Sequence, residues 1–403
     1  MGPMDTIDIE TGLSAEESAM RDVARRFARE VVRPAGIELD RLADPAEVAA
    51  EGSPLWDVIA GYHRLGIGSA MTDDGLEPVA RARLAAVINE ELAWGDVGLA
   101  ITLGLWQLPR PWIEQTGDAE LLERFCSPKR PVIGCWALTE PDHGSDTVAV
   151  TEPSFSDPSL KANCRARRDG DDYVISGQKA AWVSGSAIAE VAVLFCNLDP
   201  EQGFKGGAVF VVPLDLPGVS RPRFLDKLGQ RSLCQGEIYF DDVRVPASYM
   251  ALGPDLYQMG LEGMLAWANA AMGQLFLGVA RAAYEAALEY SKERVQGGRA
   301  IFEHQSVAAR LFSMFMRVEA ARALTRRVAA YNAVEPPQLH YSIATKVTST
   351  RTAFEVASDA LQIFGGNGLS REYPIEKLLR DARASLVEDG CNEMLAIVGA
   401  AHL

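Results

Sequence analysis

Between about residues 15 and 124, apolar side chains recur at spacings of three and four, as in MRDVARRFAREVVRP and VARARLAAVINEELAWG. That period lines them along one stripe of a helix. Helix ends are expected near Pro34, Gly95 and Gly117, because proline and glycine disfavour continuation. From about Pro131 to Pro246 the period changes to two, or to short apolar runs, in DYVISG, VAVLFC, GAVFVVP and GEIYF. Runs of that kind, bounded by Gly and Pro, predict strands. Helical spacing returns from about Leu256, notably in MLAWANAAMGQLFLGVARAAYEAALEYSKERV and EHQSVAARLFSMFMRVEAARALTRRVAAY. The chain therefore reads as α+β and multidomain: helices over 1–130, a β domain over 131–250 and a helix bundle over 251–403. The two helical parts are expected to pack around or beside the sheet. Within the β domain, Thr147 to Ala162 is rich in Ser, Pro and Asp and reads as an exposed loop extension.

Composition narrows the function classes. A chain of 403 residues with 48% hydrophobic content can fill two or three cores. A formal net charge of -16 argues against nucleic acid, whose phosphates such a surface repels. No basic and apolar leader opens the sequence, and no uninterrupted apolar run reaches about 18 residues. A soluble, cytoplasmic protein without an integral membrane segment is expected. The six cysteines are scattered without a CxxC pair, so most read as small core residues. The five histidines show no metal-ligand spacing, and no metal site is expected.

The most specific string is ALTEPDHGSD, Ala137 to Asp146, which crowds backbone and hydroxyl donors into one turn. Such a turn suits a polar heterocycle or a phosphate. Four further blocks follow: GQKAAWVSG (Gly177 to Gly185), LGQRSLCQGEIYFDDVRVP (Leu228 to Pro246), ERVQGGRAIFEHQ (Glu293 to Gln305) and QIFGGNGLSREYPIEKLLRDAR (Gln362 to Arg383). Singly, Trp182 would be a core aromatic, Arg294 a helix-dipole partner and Gly365–Gly366 a helix cap. In this order the five blocks resemble the acyl-CoA dehydrogenase family of flavoproteins, over nearly the whole chain.

The resemblance implies an amino-terminal all-α domain, a β-barrel-like middle domain and a carboxyl-terminal four-helix bundle. It also implies FAD. Trp136, Leu138 and Thr139 would lie against the isoalloxazine ring, and Ser145 near the pyrophosphate and the substrate. Trp182 and Ser184 would cover the ring. Arg294, Gln305, Gln362, Gly365 and Gly366 would reach the ADP half of an FAD held by a neighbouring copy, so a homotetramer, a dimer of dimers, is implied. Cys391 stands where the family keeps a Thr that touches the cofactor, and Gly390 beside it would contact substrate.

In the family the base is usually a Glu, eight positions beyond the Asp of an RDA string. That count runs here from Asp381 to Asp389, so Asp389 is the expected base, with the side chain of Glu388 directed elsewhere. Aspartate holds its carboxylate about 1.5 Å farther back than glutamate, and proton transfer needs close approach. Two positions that help hold pantetheine in medium-chain members are Ala266 and Asn269, and the place of an alternative base is Ala268. The implied activity is α,β-dehydrogenation of an acyl thioester, carried by CoA or a carrier protein, with electrons passed to an electron-transfer flavoprotein or another acceptor. Nitroalkane oxidation is the alternative chemistry, since members with that activity also place Asp at the base. A silent subunit that completes another chain's FAD site is the non-enzymatic alternative.

Overall fold

The structure is a computed structural model that describes residues 12–73, 75–127, 130–222 and 224–403. Its first helix, Ala15–Phe27, starts at a capping box in which the Ser14 hydroxyl accepts from the Glu17 N–H and the Glu17 carboxylate accepts from the Ser14 N–H. The helical path does not stop at Pro34 as expected. A wide turn, Ala28–Val32, leads into a further helix, Arg33–Asp40, with Pro34 in its first turn. Proline is tolerated there because the amide it lacks would have no partner in a new first turn. Helix Pro78–Gly95 ends at its glycine, and Gly117 caps Arg110–Thr116 in the left-handed region.

Eight strands form one sheet: β1 (Gly134–Ala137), β2 (Arg165–Asp169), β3 (Asp172–Ser184), β4 (Val191–Asn197), β5 (Gly207–Pro213), β6 (Val219–Ser220), β7 (Gln235–Pro246) and β8 (Met250–Leu252). Their order is β6-β7-β3-β2-β4-β5-β8, and β1 pairs in parallel with β4. Strands β4 and β5 are buried along their whole length, which is why their sequences are apolar runs without alternation. The segment after the Gly144 turn is indeed loop and short turns, but it is only partly exposed: Thr147, Val148, Ala149, Val150 and Phe155 are buried. Its apolar members sit among the polar ones and reach the sheet core, so composition masked them.

Pro254–Glu293, Gln305–Asn332, Leu339–Phe364 and Ile375–Ala384 make the carboxyl-terminal bundle, followed by Asn392–Ala400. The two helical regions pack mainly on each other. Phe27, Leu39, Ile88 and Leu92 share one core with Phe276, Leu277, Met314 and Val356. The second core lies on the sheet and also takes in Ile113, Leu121 and Phe125 from the amino-terminal helices. The first turns of Pro254–Glu293 enter it through Tyr257, Leu261 and Leu265, so this 40-residue helix joins both cores. One stretch of it is apolar enough to cross a membrane, yet most of that stretch is buried inside the protein.

Candidate active site

The turn after β1 is fixed by a buried ion pair with β3. Lys179 Nζ lies 2.6 Å from Glu140 Oε1 and donates to the Leu138 carbonyl at 2.9 Å. Glu140 also accepts from the Asn163 N–H at 2.6 Å and the Cys164 N–H at 3.1 Å. The Ala180 N–H donates to the Thr139 carbonyl at 2.9 Å. Leu138 and Thr139 are thereby held with their side chains on a cavity of about 1460 Å³. In the adjoining part of β3 three residues, 180–182, oppose the single Glu237 of β7. This irregular pairing re-aims the strand and leaves Trp182 56% exposed at the cavity, where a strand tryptophan is ordinarily covered. Ser184 faces the same space and accepts a 3.0 Å hydrogen bond from Gln235 Nε2.

Asp389 closes the opposite wall. It adopts φ 52°, a left-handed conformation that aspartate tolerates better than most residues, and Gly390 follows at φ 87°. The Cys391 N–H donates to Ser145 Oγ at 3.0 Å, joining this loop to the turn after β1. Beneath it, Lys346 is fully buried and donates to the Gly390 carbonyl at 3.0 Å and to Asn392 Oδ1 at 2.8 Å. Asp389 is surrounded by protein yet keeps accessible surface, because that surface faces the cavity. Burial raises its pKa above the usual aspartate value, and the Lys346 charge opposes the rise. Burial likewise lowers the pKa of Lys346, against the pull of Glu388 and Asp389. Among the described residues the Asp389 N–H donates to no protein acceptor.

Glu388 is also among the residues that line the cavity. Its Oε1 is held by Gln230 Nε2 at 2.8 Å, on the side of Lys227. Burial, and next the charge of Asp389, push its pKa to about 7, while Gln230, Lys346 and Lys227 pull the other way. Lys227 Nζ donates to the Gln230 and Leu233 carbonyls and to Gln235 Oε1, and burial lowers its pKa to about 8. Gln230 takes a positive φ of 51° and its N–H donates to Asp381 Oδ1. Lys227, Gln230 and Lys346 were not singled out from sequence. The LGQRS block and the RDA block each carried one end of this network, but the contacts span about 150 residues of chain.

Of the expected site residues, the structure brings Trp136, Leu138, Thr139, Ser145, Trp182, Ser184, Asp389 and Gly390 onto one cavity. Cys391 stands just behind it, bonded to Ser145. Arg294, Gln305, Gln362, Gly365 and Gly366 are not part of that lining; they are exposed on the bundle. Tyr290, one turn before Arg294, stacks at 4.1 Å on Phe364, which precedes Gly365, so these chain segments lie together. Ala268 faces the cavity, whereas Asn269 is buried and bonded to the Leu265 carbonyl. The cavity wall suits a flavin on two counts. The buried Trp136 Nε1 has no partner among the described residues, and the Trp182 face is bare. A ring with acceptor atoms in this space would satisfy the first and cover the second.

Comparison with known proteins gives the following. Residues 261–403 match the family model described as acyl-CoA dehydrogenase, C-terminal domain, and residues 135–243 match acyl-CoA dehydrogenase, middle domain. The chain is 32% identical over 322 residues to the short-chain specific acyl-CoA dehydrogenase of Megasphaera elsdenii, covering 78% of this chain and 80% of that protein. It is 29% identical over 393 residues to the mitochondrial short-chain specific acyl-CoA dehydrogenase of Mus musculus, covering 95% and 89%. The solved structure of butyryl-CoA dehydrogenase from Megasphaera elsdenii superposes with a TM-score of 0.83 at 28% identity, over 97% of this chain and 99% of that one.

Proposed function

The chain belongs to the acyl-CoA dehydrogenase family, and from that premise we propose that it forms an α,β double bond in an acyl thioester, with Asp389 as the base. It is an oxidoreductase of CH–CH groups, as its relatives are. The observation that carries the proposal is the Asp389 carboxylate, enclosed by protein, opening on the same cavity as Trp136, Thr139 and Trp182.

FAD, when bound, supplies the acceptor for the hydride that leaves the β carbon. Leu138, Thr139 and Trp136 would line its ring, Trp182 would cover it, and Ser184 and Ser145 would offer hydroxyls. Asp389 takes the α proton. A carboxylate whose pKa is raised by burial is a stronger base than one in water, and Lys346 keeps it ionised enough to act. The free Asp389 N–H is available to the thioester carbonyl oxygen, where charge develops as the proton leaves. Gly390 would contact the substrate. The Ser145–Cys391 hydrogen bond ties the base loop to the cofactor turn, which fixes the approach that proton transfer demands.

The same reading extends to partners. Arg294, Gln305, Gln362, Gly365 and Gly366 would complete the FAD site of an adjacent copy in a homotetramer. It is supported by apolar side chains left bare nearby, among them Val295 at 62%, Phe302 at 40% and Leu369 at 75% exposure. Electrons would leave to an electron-transfer flavoprotein. A cytoplasmic setting agrees with six free thiols. Anaerobic titration of the FAD-loaded protein with acyl-CoA thioesters, carrier-linked acyl groups and nitroalkanes tests the assignment. Bleaching of the visible flavin band by a thioester is expected; bleaching by nitroalkanes alone would replace it with the alternative chemistry.

A further inference from the structure

We propose that the stretch of the cavity between helices Pro78–Gly95 and Pro254–Glu293 recognises an uncharged polar group, a hydroxyl or carboxamide, on the acyl chain, with Asn89 and Gln274 as the specificity-determining pair. This rests on the acyl-thioester reading of the site. Ala82, Ala85, Asn89 and Leu92 line the cavity from helix Pro78–Gly95 at spacings of three and four. Ala271, Gln274 and Leu275 face them from helix Pro254–Glu293. Two amides thus interrupt an otherwise apolar wall. Asn89 Nδ2 donates to Gln274 Oε1 at 2.9 Å, and among the described residues neither amide makes another hydrogen bond. Two paired amides use one donor and one acceptor, and whichever way they are turned, donors remain on one and an acceptor on the other. Both kinds are therefore offered to whatever occupies the cavity.

The position of the pair follows from the helix crossing. One turn beyond Gln274, a Cβ on Gly278 would stand 2.3 Å from the Glu90 carbonyl oxygen and 2.8 Å from the Trp94 nitrogen, so the two backbones touch there. Behind that contact Arg281 is ion-paired with Glu90 and Glu91. The close crossing places the amides side by side on the cavity wall, which Leu92 and Leu275 continue. Trp267 packs on Trp136 at 5.6 Å, and Gln274 stands seven positions farther along the same helix. At a rise of about 1.5 Å per residue that is roughly 10 Å, the reach of a short or medium acyl chain.

Charge decides the class of group. Among the described residues, the lysine and arginine that line the cavity are Lys227 and Arg383. Lys227 is bonded within the Gln230 and Gln235 network and Arg383 lies on the helix that leads to the base loop. A carboxylate carried to the amide pair would be desolvated without a counter-charge. A purely apolar end would cover Gln274, only 8% exposed, and leave its free amide group unpaired. A neutral group with both donor and acceptor character meets neither penalty.

The test compares an unsubstituted acyl-CoA with its ω-hydroxy analogue of equal chain length, across a series of lengths. The readouts are anaerobic flavin reduction and the dissociation constants of the matching 2-enoyl products. At the length that fits, the ω-hydroxy substrate is expected to show at least about tenfold higher kcat/KM, and Asn89→Leu with Gln274→Met is expected to reverse the preference. Gln274→Met alone, with FAD content and Tm checked, serves if the double variant does not fold. Preference of the wild-type protein for the unsubstituted chain at every length, or an unaltered preference in a folded variant, overturns the assignment and leaves dehydrogenation standing. Reduction by neither class overturns the acyl-thioester reading and this inference with it.

Discussion

Replacing Asp389 by Asn exchanges one carboxylate oxygen for an amide and leaves length and shape unchanged. Asparagine is at ease at the positive φ of this position, so the loop, its link to Ser145 and the Lys346 contacts beneath it should persist. What disappears is the proton acceptor. A positioned base contributes about 10²–10⁴ in rate, so the rate constant for flavin reduction should fall by about 10³, close to 4 kcal/mol of barrier. The structure adds a second, separable effect. The Asp389 charge is, after burial, the largest cause of the high pKa of Glu388. Its removal should lower that pKa from about 7 towards the ordinary glutamate range and leave Glu388 more ionised at neutral pH. Glu388 is thus given every chance to substitute, which makes the experiment severe. Anaerobic stopped-flow reduction, with FAD content and Tm as controls, measures the loss. A folded, flavin-bound variant that reduces within tenfold of wild type, with a pH profile moved to lower pH, would assign the chemistry to Glu388 and refute Asp389. Asp389→Glu is the companion: it advances the carboxylate by about 1.5 Å into space shaped for aspartate, and a loss of roughly 10² is expected.

Glu388→Gln should change how stability varies with pH. A carboxyl whose folded pKa of about 7 exceeds its unfolded value of 4.5 binds an extra proton in the folded protein between those limits. Wild-type stability should therefore fall relative to the variant as pH rises through that window, by roughly 3 kcal/mol in all. Urea unfolding at pH 5 and pH 8 checks it, and equal pH dependence of the two proteins would refute it. Lys179→Met leaves the buried Glu140 without its cation, so a loss of about 3–5 kcal/mol is expected, read as a lower Tm; an unchanged Tm would show the pair to be dispensable. Arg294→Ala should lower the FAD retained after dialysis, as expected of a lost charge-assisted contact, while the monomer fold stays intact by circular dichroism. Full FAD content would remove Arg294 from the cofactor site.

The alternation of helical and strand periods foretold the architecture because periodicity reports which face of an element is buried. It does not report against what. Ile113, Leu121 and Phe125 have ordinary helical spacing, yet they complete the sheet core and not the helical one. Pro34 misled for a local reason, since a wide turn can restart a helix where a proline would break it. The turn residues Leu138 and Thr139 and the base loop at Asp389 were legible as contiguous strings. The network of Lys227, Gln230 and Lys346 was not, because each member gains its meaning from a partner far along the chain. Asn89 and Gln274 are likewise unremarkable in sequence, each a single amide in a long helix; only the helix crossing sets them face to face.

The core shared by the first and last thirds of the chain has a consequence for biosynthesis. Phe27, Leu39, Ile88 and Leu92 emerge from the ribosome long before Phe276, Met314 and Val356, the side chains that cover them. Until then the amino-terminal helices have an apolar flank and no lid. The sheet between them, built largely from nearby strands, can close first. The nascent protein must therefore carry an exposed adhesive surface through more than half of its translation, and its yield in a cell should depend on chaperones that hold that flank rather than on the stability of the finished fold.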